Sequence, residues 1–397
     1  MKKILFVGAG FLQAYIIKAA RALGYITYAI DANPDSIGYR YADFFETIDI
    51  INIDACLQYA KETKVDGVMT VATDFGVETA ACISEELDIP GLTRETVRVI
   101  KNKHLVRKAL VTANADDSQD SIEISGIAQA DDLHNMIKYP VMVKPCDGSG
   151  SRGASKAGNI IELKQACKLA IEGSLTSKAV IEPFITGVEY GVETFVYDGA
   201  AYVLAVMKKW MTEPPYYAEL GHAIPSGLGN RTEDRIKEAA RSAINALGIT
   251  VGAVNMDIIV TDAGTIHIVD IGARMGGNLI GSHVIPTGTG YDYMENIIRA
   301  AVGDDVVLPG NETGSPVATK LLALKPGVVK KLPDIAEIEA SFGVRIEHHL
   351  CIGRNITPYR TNLDGCGYII ATSDSLQSAT EKAEQALRVI DSAIVRA

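Results

Sequence analysis

Hydrophobic and polar positions in the first 90 residues follow two alternating patterns. Short apolar runs of strand length, such as KILFV and YITYAID, precede segments such as FLQAYIIKAARALG, where apolar residues recur at helical spacing. A third run, VDGVMTVAT, is followed by a helical segment that ends before Pro90. Because strands that alternate with helices form parallel sheets covered on both faces, the pattern predicts an α/β domain over residues 1–92.

A Gly-x-Gly turn at Gly8 and Gly10 follows the first run, and Asp31 ends the second. This arrangement is typical of Rossmann-like dinucleotide-binding domains, where a third Gly or Ala lets the helix approach the strand and an acid binds the ribose. Gln13 occupies the third position, and its side chain would crowd that approach. We therefore interpret the segment as a Rossmann-like structural domain, with a bound dinucleotide, and hence a dehydrogenase, as the weaker alternative.

The pattern changes between residues 138 and 310, where strands such as YPVMVKP and YGVETFVYD are joined by short turns with interspersed helices. This is typical of α+β folds. Polar segments at 113–121 and 309–316 are candidate linkers, and the tail combines a strand, GYIIATS, with an amphipathic helix. We predict an α/β and α+β multidomain protein with domains 1–92, 93–310 (a small subdomain at about 113–183 and a large one at about 184–310) and a small C-terminal α+β domain, 311–397.

Composition narrows the class of protein. The chain has 397 residues, of which 47% are hydrophobic, and a formal charge of −11, which argues against general binding of nucleic acid or anionic membrane. The six cysteines form no Cys-x-x-Cys pair, and no apolar stretch approaches the ~20 residues of a membrane span. We expect a cytoplasmic enzyme with reduced thiols and without nucleic-acid or membrane partners.

A strand delivers Lys144 to a glycine- and serine-rich loop in YPVMVKPCDGSGSRG, residues 139–153. Small residues let backbone N–H groups close on phosphate oxygens, and hydroxyl groups add donors. We predict that Lys144 and this loop contact phosphate. The loop's candidate ligands are Ser149, Gly150, Ser151 and Gly153.

Two acids lie near the next strand. Glu182 ends an apolar run in AVIEPFITGVEYGVETFVYD, and Glu189 follows after a glycine. Alone, they read most simply as solvated carboxylates. In a nucleotide site, the first could pair with the adenine amino group and the second could accept from ribose hydroxyls.

The segment 255–278, NMDIIVTDAGTIHIVDIGARMGGN, predicts two strands around a turn. Such a hairpin can bring Asp257 close to Asp270, and two close carboxylates repel unless a cation or a proton lies between them. Carboxylate oxygens together with phosphates suit Mg²⁺. Arg274 shares a face with Asp270 and would bind a phosphoryl group.

The order Lys, Gly-rich loop, Glu, Glu, Asp, Asp, Arg resembles the ATP-grasp superfamily, specifically its carboxylate-amine ligases, most like L-amino acid ligases and biotin-carboxylase-like members. The resemblance implies a Rossmann-like domain followed by an ATP-grasp fold and a small C-terminal domain. This chain departs from the family pattern in two ways. It has Gly272 where many members have an Asn metal ligand, and its two metal-binding acids are Asp rather than the more usual Glu. The implied roles are phosphate binding by Lys103 and Lys144, an adenine-reading hinge at Glu182, Pro183 and Phe184, ribose binding by Glu189, metal binding by Asp257 and Asp270, and acyl-phosphate binding by Arg274.

The proline- and glycine-rich segment 207–229 resembles the substrate loop of L-amino acid ligases, in which an acid and a histidine three residues later line the amino-acid site. Here these are Glu219 and His222, and the alternative for His222 is a packing role within the loop. Lys208 or Lys209 could reach the γ-phosphate; the sequence does not say which, and Lys208 is taken as the candidate.

We therefore predict a ligase that uses ATP and Mg²⁺, or Mn²⁺ in its place, to join a small-molecule carboxylate to an amine through an acyl phosphate, releasing ADP and phosphate. Similar proteins suggest a homodimer. One alternative is a purine-pathway or carbamoyl-phosphate-type enzyme that uses phosphoribosylamine, bicarbonate or a carbamate. Another is a non-catalytic nucleotide-binding regulator, which Gly272 motivates.

Overall fold

The computed structural model describes residues 1–148, 153–214, 216–310 and 312–397. The N-terminal region forms the α/β layer that the hydrophobic pattern predicts. Its elements are β1 (Lys3–Val7), α1 (Gln13–Ala22), β2 (Ile26–Asp31), β3 (Phe44–Thr47), α2 (Ile53–Thr63), β4 (Gly67–Met69) and α3 (Val77–Leu87). The strands are parallel and lie in the order β3-β2-β1-β4.

The glycine turn after β1 packs against the protein's own side chains. Gln13 Nε2 donates to the carbonyl oxygen of Val71 at 2.7 Å, and a Cβ at Gly10 would lie 2.9 Å from Gln13 Oε1. Asp31 Oδ2 accepts from the backbone N–H of Ala9 at 2.8 Å. Gln13 therefore fills the space beside the turn, and Asp31 holds the turn's backbone in place.

Two helices lead into a small antiparallel sheet. They are α4 (Arg94–Ile100) and α5 (Lys103–Ala113). The following elements are β5 (Ile122–Ile124), α6 (Gln129–Leu133), β6 (Val141–Pro145), β7 (Ser155–Ala157), α7 (Ile160–Glu172) and β8 (Ala179–Pro183). The strand order is β5-β8-β6-β7, which places the end of β8 beside the start of β6.

A mixed region of long strands and helices follows. Its elements are β9 (Val188–Tyr197), β10 (Ala200–Met211), β11 (Glu219–Ile224), α8 (Asn230–Ala246), β12 (Gly252–Val260), β13 (Ile266–Gly272), a π-helical turn (Ile280–Val284), α9 (Ile285–Thr289) and α10 (Tyr293–Ala301). The tail adds β14 (Val317–Leu321), β15 (Gly327–Lys331), α11 (Ile335–Phe342), β16 (Val344–His348), β17 (Asn355–Ile356), β18 (Gly367–Thr372), α12 (Leu376–Ala393) and β19 (Val395–Arg396).

One eight-stranded sheet joins these two regions, in the order β13-β12-β9-β10-β11-β14-β18-β16. The pairing of β11 with β14 carries the sheet from the central region into the tail. Loops of the tail can therefore reach the same face of the sheet as residues of β10 and β11. The α/β and α+β fold class is confirmed, as are the strand and the amphipathic helix predicted in the tail.

A shared hydrophobic core fixes the N-terminal layer against this sheet. Ile16 and Ile17 of α1 belong to one buried cluster with Phe195 of β9 and Tyr293 and Ile297 of α10. Burial of such side chains stabilises each by ~1.5–3 kcal/mol, so the loops of the N-terminal layer are held over the central sheet. Among the residues described, no helix combines the length and the apolarity needed to cross a membrane.

Candidate active site

A cavity of about 1000 Å³ lies where the N-terminal layer, the two central sheets and the tail meet. Its wall takes residues from each of these parts, including Leu12 and Asp74, Lys144 and Glu182, Asp257 and Asp270, and Arg360 and Asn362. Pockets for single ligands span about 300–1,000 Å³, so this volume can hold a nucleotide together with smaller substrates.

The hairpin of β12 and β13 brings the two predicted metal-binding acids together. Asp257 is the direct cross-strand partner of Asp270. Each carboxylate has a lysine partner: Lys209 Nζ lies 2.6 Å from Asp257 Oδ1, and Lys103 Nζ donates to Asp270 Oδ1. Burial raises the pKa of Asp257, and the carboxylate of Glu189 raises it further, although Lys209 opposes both. The structure thus brings these two acids together, as the sequence predicted.

The residues present fit a magnesium ion that is shared with phosphate. Across the described chain, no three His, Cys, Asp or Glu side chains are grouped so as to hold a metal. Asp257 and Asp270 remain 27% and 41% exposed to the cavity. Mg²⁺ usually binds one or two carboxylates, completing its shell with phosphates and water, so a two-carboxylate site is sufficient.

Lys209 lies at the centre of an acidic cluster. Its side chain is 1% exposed, and its Nζ lies 2.7 Å from Glu189 Oε1, 2.8 Å from Glu219 Oε1 and 2.6 Å from Asp257 Oδ1. Burial alone would lower the pKa of Lys209, but Asp257, Glu219 and Glu189 outweigh it and hold the pKa well above its ordinary value. The three carboxylates therefore favour the charged ammonium form of Lys209.

The structure corrects the choice of Lys208. Successive side chains of a strand point to opposite faces, and it is Lys209 that lines the cavity. Lys208 lies on the other face, with its Nζ 5.5 Å from the ring centroid of Trp210. Lys320 covers the same ring, with its Nζ 3.7 Å from the centroid. Lys209 therefore replaces Lys208 as the candidate phosphate contact.

Glu182, at the end of β8, is held by two cations. Arg107 Nε donates to Glu182 Oε1 at 3.1 Å, and Lys144 Nζ lies 3.2 Å from Glu182 Oε2. Burial would raise the pKa of Glu182, but Lys144 and Arg107 lower it to about 2. Sequence reasoning missed Arg107, although it follows Lys103 by one helical turn and shares its face of α5.

The other predicted nucleotide residues fall into three groups. Pro183, Phe184 and Glu189 line the cavity beside Glu182. Gly153 has φ +73°, a backbone conformation that favours glycine. The predicted contacts Ser149, Gly150 and Ser151 lie outside the described residues.

Arg274 is paired with an acid of the N-terminal layer. Its Nε lies 3.0 Å from Oδ1 of Asp74, in the segment after β4. Burial would raise the pKa of Asp74, but Arg274 outweighs it and the pKa is lowered. A Cβ at Gly272 would lie 3.0 Å from Arg274 Cζ, so glycine at 272 makes room for the guanidinium. Sequence reasoning missed Asp74; its position at the carboxyl end of a parallel strand is the signal that could have found it.

A β-bulge puts Glu219 and His222 on one face of β11. Met211 pairs with Glu219 and Lys209 pairs with His222, with a register shift between them. Side chains three residues apart in a strand would otherwise point to opposite faces. The bulge therefore places both residues on the face of β10 that carries Lys209.

His222 nevertheless does not reach the cavity. It is 1% exposed, and within the described chain the cavity wall includes Glu219 but not His222. His222 Nε2 lies 4.0 Å from Glu219 Oε1, and burial lowers the pKa of His222 to about 4. The prediction that His222 lines the substrate site is corrected, because the imidazole is neutral and lies behind the wall.

Glu193 is a buried carboxylate that sequence reasoning missed. Its Oε1 accepts from Gly276 N at 3.1 Å and Tyr293 Oη at 2.8 Å, and its Oε2 accepts from Asn255 Nδ2 at 2.9 Å. Burial outweighs these donors and raises the pKa of Glu193 to about 7. The contact with Gly276 ties Glu193 to the loop that carries Arg274.

Comparisons with known proteins agree with this geometry. Residues 137–282 match the family described as ATP-grasp domain, and residues 320–395 match L-amino acid ligase C-terminal domain 2. The predicted resemblance is thereby confirmed: the chain contains an ATP-grasp domain followed by this C-terminal domain.

Solved structures share the fold along the whole chain. L-amino acid ligase from Bacillus licheniformis superposes with a TM-score of 0.85 at 21% identity, covering 97% of each chain. Phosphoribosylglycinamide synthetase from Anaerococcus prevotii gives 0.79 at 23% identity, covering 100% of this chain and 99% of that one. Human carnosine synthase 1 is 22% identical over 78% of this chain, which spans 40% of its length.

Proposed function

We propose that this chain, which carries an ATP-grasp domain followed by an L-amino acid ligase C-terminal domain, is an ATP-dependent ligase that joins a carboxylate to an amine through an acyl phosphate. One observation carries the proposal. The paired Asp257 and Asp270, the lysines that contact them, and Arg274 all line one cavity. A site of this composition can position a nucleoside triphosphate and neutralise the negative charge on the phosphoryl group during its transfer.

Lys103 and Lys144 bind the nucleotide's phosphates in this proposal. Lys103 is paired with Asp270, and Lys144 is paired with Glu182. The carboxylates thus hold both ammonium groups in position, and an entering phosphate can bind to them there. Asp257 and Asp270 would hold Mg²⁺, which would supply charge neutralisation at the phosphoryl oxygens. A solved biotin carboxylase domain from Hydrogenobacter thermophilus with the same fold contains MgADP, which supports this choice of nucleotide and metal.

Arg274 binds the substrate carboxylate and, after transfer, the acyl phosphate. A guanidinium group offers two parallel donors to such an anion, and Asp74, whose Oδ2 accepts from Arg274 Nη2 at 3.2 Å, holds the group in place. In the transfer, a carboxylate oxygen attacks the γ-phosphorus and the P–O bond to ADP breaks, so that ADP leaves with the bonding electrons. The incoming ammonium group gives up one proton to solvent, and the neutral amine then attacks the acyl carbon. Its nitrogen passes a second proton to the departing phosphate, which takes the electrons of the broken C–O bond. Glu219, at the wall on this side, holds the incoming ammonium group.

Two alternatives use the same fold. A purine-pathway or carbamoyl-phosphate-type enzyme would differ only in its acceptor, which the fold alone does not distinguish. A non-catalytic regulator was motivated by Gly272. Because the guanidinium of Arg274 packs closely against position 272, the absence of a side chain there is explained by packing. Gly272 is therefore compatible with a catalytically active site, which favours the ligase over the regulator.

The test is turnover by the purified chain with ATP and Mg²⁺ against panels of carboxylates and amines, measured as ADP and phosphate. Hydroxylamine in place of the amine traps an acyl phosphate as a hydroxamate, which identifies the intermediate. Bicarbonate and phosphoribosylamine form separate arms, Mn²⁺ replaces Mg²⁺ in another, and light scattering checks the predicted homodimer.

Tight binding of ATP without turnover in the presence of any pair of carboxylate and amine would support the regulator alternative. Thermal unfolding with NAD or NADP in place of MgATP addresses the dinucleotide alternative. Because Gln13 fills the space at the glycine turn, we expect MgATP to raise the melting temperature and NAD to leave it unchanged. The reverse result would contradict the proposal.

A further inference from the structure

Asn255 lies beside the two proposed metal-binding acids, on the same hairpin. In the register of β12 and β13, Asn255 pairs with Gly272, two residues along each strand from the pair of Asp257 and Asp270. Residues that are two apart in a strand, or directly opposite across a strand pair, share one face of the sheet. The side chain of Asn255 therefore points to the same side as the two carboxylates. Because Gly272 has no side chain, a third oxygen ligand from these four positions can come only from Asn255.

Glu193 determines which end of the Asn255 amide faces the acids. Asn255 Nδ2 donates to Glu193 Oε2 at 2.9 Å, while Glu193 Oε1 accepts from Gly276 N and from the hydroxyl of Tyr293. Only the amino end of an amide can donate, so this contact leaves the oxygen of Asn255 for another partner. Asn255 is partly exposed and lines the main cavity, and its Oδ1 accepts no hydrogen bond from the described residues. The amide thus offers an oxygen to the cavity.

The two acids each have one oxygen that is already occupied. Lys209 Nζ lies 2.6 Å from Asp257 Oδ1, and Lys103 Nζ donates to Asp270 Oδ1. In the part of the chain that the structure describes, Oδ2 of each acid has no hydrogen-bond partner, so each acid offers one oxygen to a cation. Mg²⁺ and Mn²⁺ bind carbonyl as well as carboxylate oxygens. A neutral amide oxygen would add a ligand without adding negative charge to the wall.

A small cavity of about 70 Å³ adjoins the acids. Its wall includes Asn255, Asp257, Asp270 and Gly272, and the first three of these also line the main cavity. A water molecule takes up ~30 Å³ in the liquid, so this space is large enough for an ion that keeps one of its waters. Asn255 and the two acids therefore share open space in which one cation can contact all three.

We propose that the amide oxygen of Asn255 is a third protein ligand of the divalent cation that Asp257 and Asp270 would bind. This inference rests on the proposed function, because the cation is the one that accompanies the nucleotide. Glu193 is then a positioning residue: it holds the amino group of Asn255 and so directs the oxygen to the metal. Groups that bind metals are commonly oriented in this way by a hydrogen-bond partner behind them.

The experiment measures metal binding without turnover. The affinity of the purified chain for Mn²⁺ is determined by electron paramagnetic resonance, first alone and then with the chain saturated with ADP, after correction for MnADP in solution. Wild type is compared with Asn255→Ala, which removes the oxygen, and with Asn255→Asp, which keeps an oxygen at that position but cannot donate to Glu193. Asn245→Ala is the matched control, because Asn245 is an exposed residue of α8 outside both cavities.

Asn255→Ala should raise the Kd for Mn²⁺ by ~10- to 100-fold, the scale on which metal sites respond to the loss of a supporting group. Its Kd for ADP without metal should not change. Asn255→Asp should bind Mn²⁺ at least as tightly as the wild type, although it loses the contact with Glu193. Asn245→Ala should behave as the wild type. Thermal unfolding of each variant without ligands shows whether a change in affinity comes from a damaged fold.

A role for Asn255 in packing alone would give a different pattern. Both Asn255 variants would then lower the melting temperature, and the Kd for Mn²⁺ would stay unchanged or increase equally in the two; either result would overturn the inference. A wild type that binds no Mn²⁺, with or without ADP, would also overturn it. A chain that shows the expected Mn²⁺ affinities but turns over no substrate pair would support the inference and contradict the proposed function.

A crystal structure with MgADP gives a direct check. Asn255 Oδ1 at ~2.1 Å from the ion, the usual length of a bond between Mg²⁺ and oxygen, would support the inference. A water molecule between Asn255 and the ion would overturn it.

Discussion

The nucleotide half and the substrate half of the cavity are built in different ways. In the nucleotide half, Glu182 lies in β8 and Asp270 lies in β13. Each carboxylate is paired with a lysine from another element that packs beside it, Lys144 and Lys103 respectively. In the substrate half, Asp74, Glu219 and Asn362 come from three distant parts of the chain and meet only in the folded protein. Each residue of the first half can be recognised within its own sequence motif, even where the paired residues are far apart, as Lys103 and Asp270 are at 167 positions. The second depends on how the domains are joined, so we expect it to determine which substrates bind.

Lys209 connects the two halves, so its loss should have the largest effect. Lys209→Met leaves Glu189, Glu219 and Asp257 clustered around a neutral side chain. Removing one partner of a buried ionic group costs about 3–5 kcal/mol of stability. We expect turnover to fall by about 10³-fold or more, since both the metal-binding acid and the substrate acid lose their cation.

Chemical denaturation and ADP release measure these effects, and Lys208→Met is the matched control. Lys208 lies on the opposite face of the same strand, so its substitution should change stability by less than about 1 kcal/mol. A larger effect at Lys208 than at Lys209 would reverse the assignment of the two faces.

Asp270→Asn tests the nucleotide half alone. It keeps the shape of the side chain and removes a charge that faces the metal, so turnover should fall by about 10² to 10³-fold. Nucleotide binding without metal should change little. Asp262→Asn, in the exposed turn of the same hairpin, is the control and should be as active as the wild type. Near-normal turnover in Asp270→Asn would contradict its role as a metal ligand.

Asp74→Asn tests the substrate half. Loss of the ion pair frees Arg274 to move, and a displacement of about 1 Å at a reacting group can cost as much as 10²-fold in rate. We expect a lower kcat with an unchanged KM for ATP, and partial recovery in Asp74→Glu. Asp66→Asn, in the same domain but outside the cavity wall, serves as the control. An equal loss of ATP affinity would show that the two halves are not separable.

Glu193 is buried beside the loop that carries Arg274, and its effect should appear in the pH dependence of stability. Its pKa is raised from the ordinary glutamate value of 4.5 to about 7 in the folded protein, because burial disfavours the charge. The folded state therefore binds the proton more tightly. The stabilisation that the protonated carboxyl group of Glu193 contributes is fully present below pH 4.5. It is lost as the pH rises to 7, which lowers the free energy of unfolding by about 3 kcal/mol.

Glu193→Gln removes this titration. The free energy of unfolding of the variant minus that of the wild type should therefore increase between pH 4.5 and 7 and stay constant above. Denaturant titrations at a series of pH values measure the difference. A difference that does not vary with pH would show that Glu193 is ionised in the folded protein.

Much of the nucleotide half could be predicted, because its residues obey local rules. Alternation along a hairpin was enough to pair Asp257 with Asp270. The same rule could not choose between Lys208 and Lys209, since the face that each occupies depends on which side of the sheet closes the cavity. His222 shows a further limit: the bulge in β11 gave it the expected face, but it is buried next to its cross-strand partner Lys209 and does not line the cavity. Asp74 was missed because its contact spans 200 positions of sequence.

The position of Trp210 has a practical consequence for spectroscopy. It is the only tryptophan in the chain, so selectively excited indole fluorescence comes from a single site. The indole lies on β10 immediately after Lys209, and the ammonium of Lys320 is 3.7 Å from its ring centroid. We expect a ligand that draws Lys209 away from its acids to change the electric field at the neighbouring indole. We expect the emission maximum to move when MgATP or a substrate binds, giving a label-free optical signal for each half of the cavity.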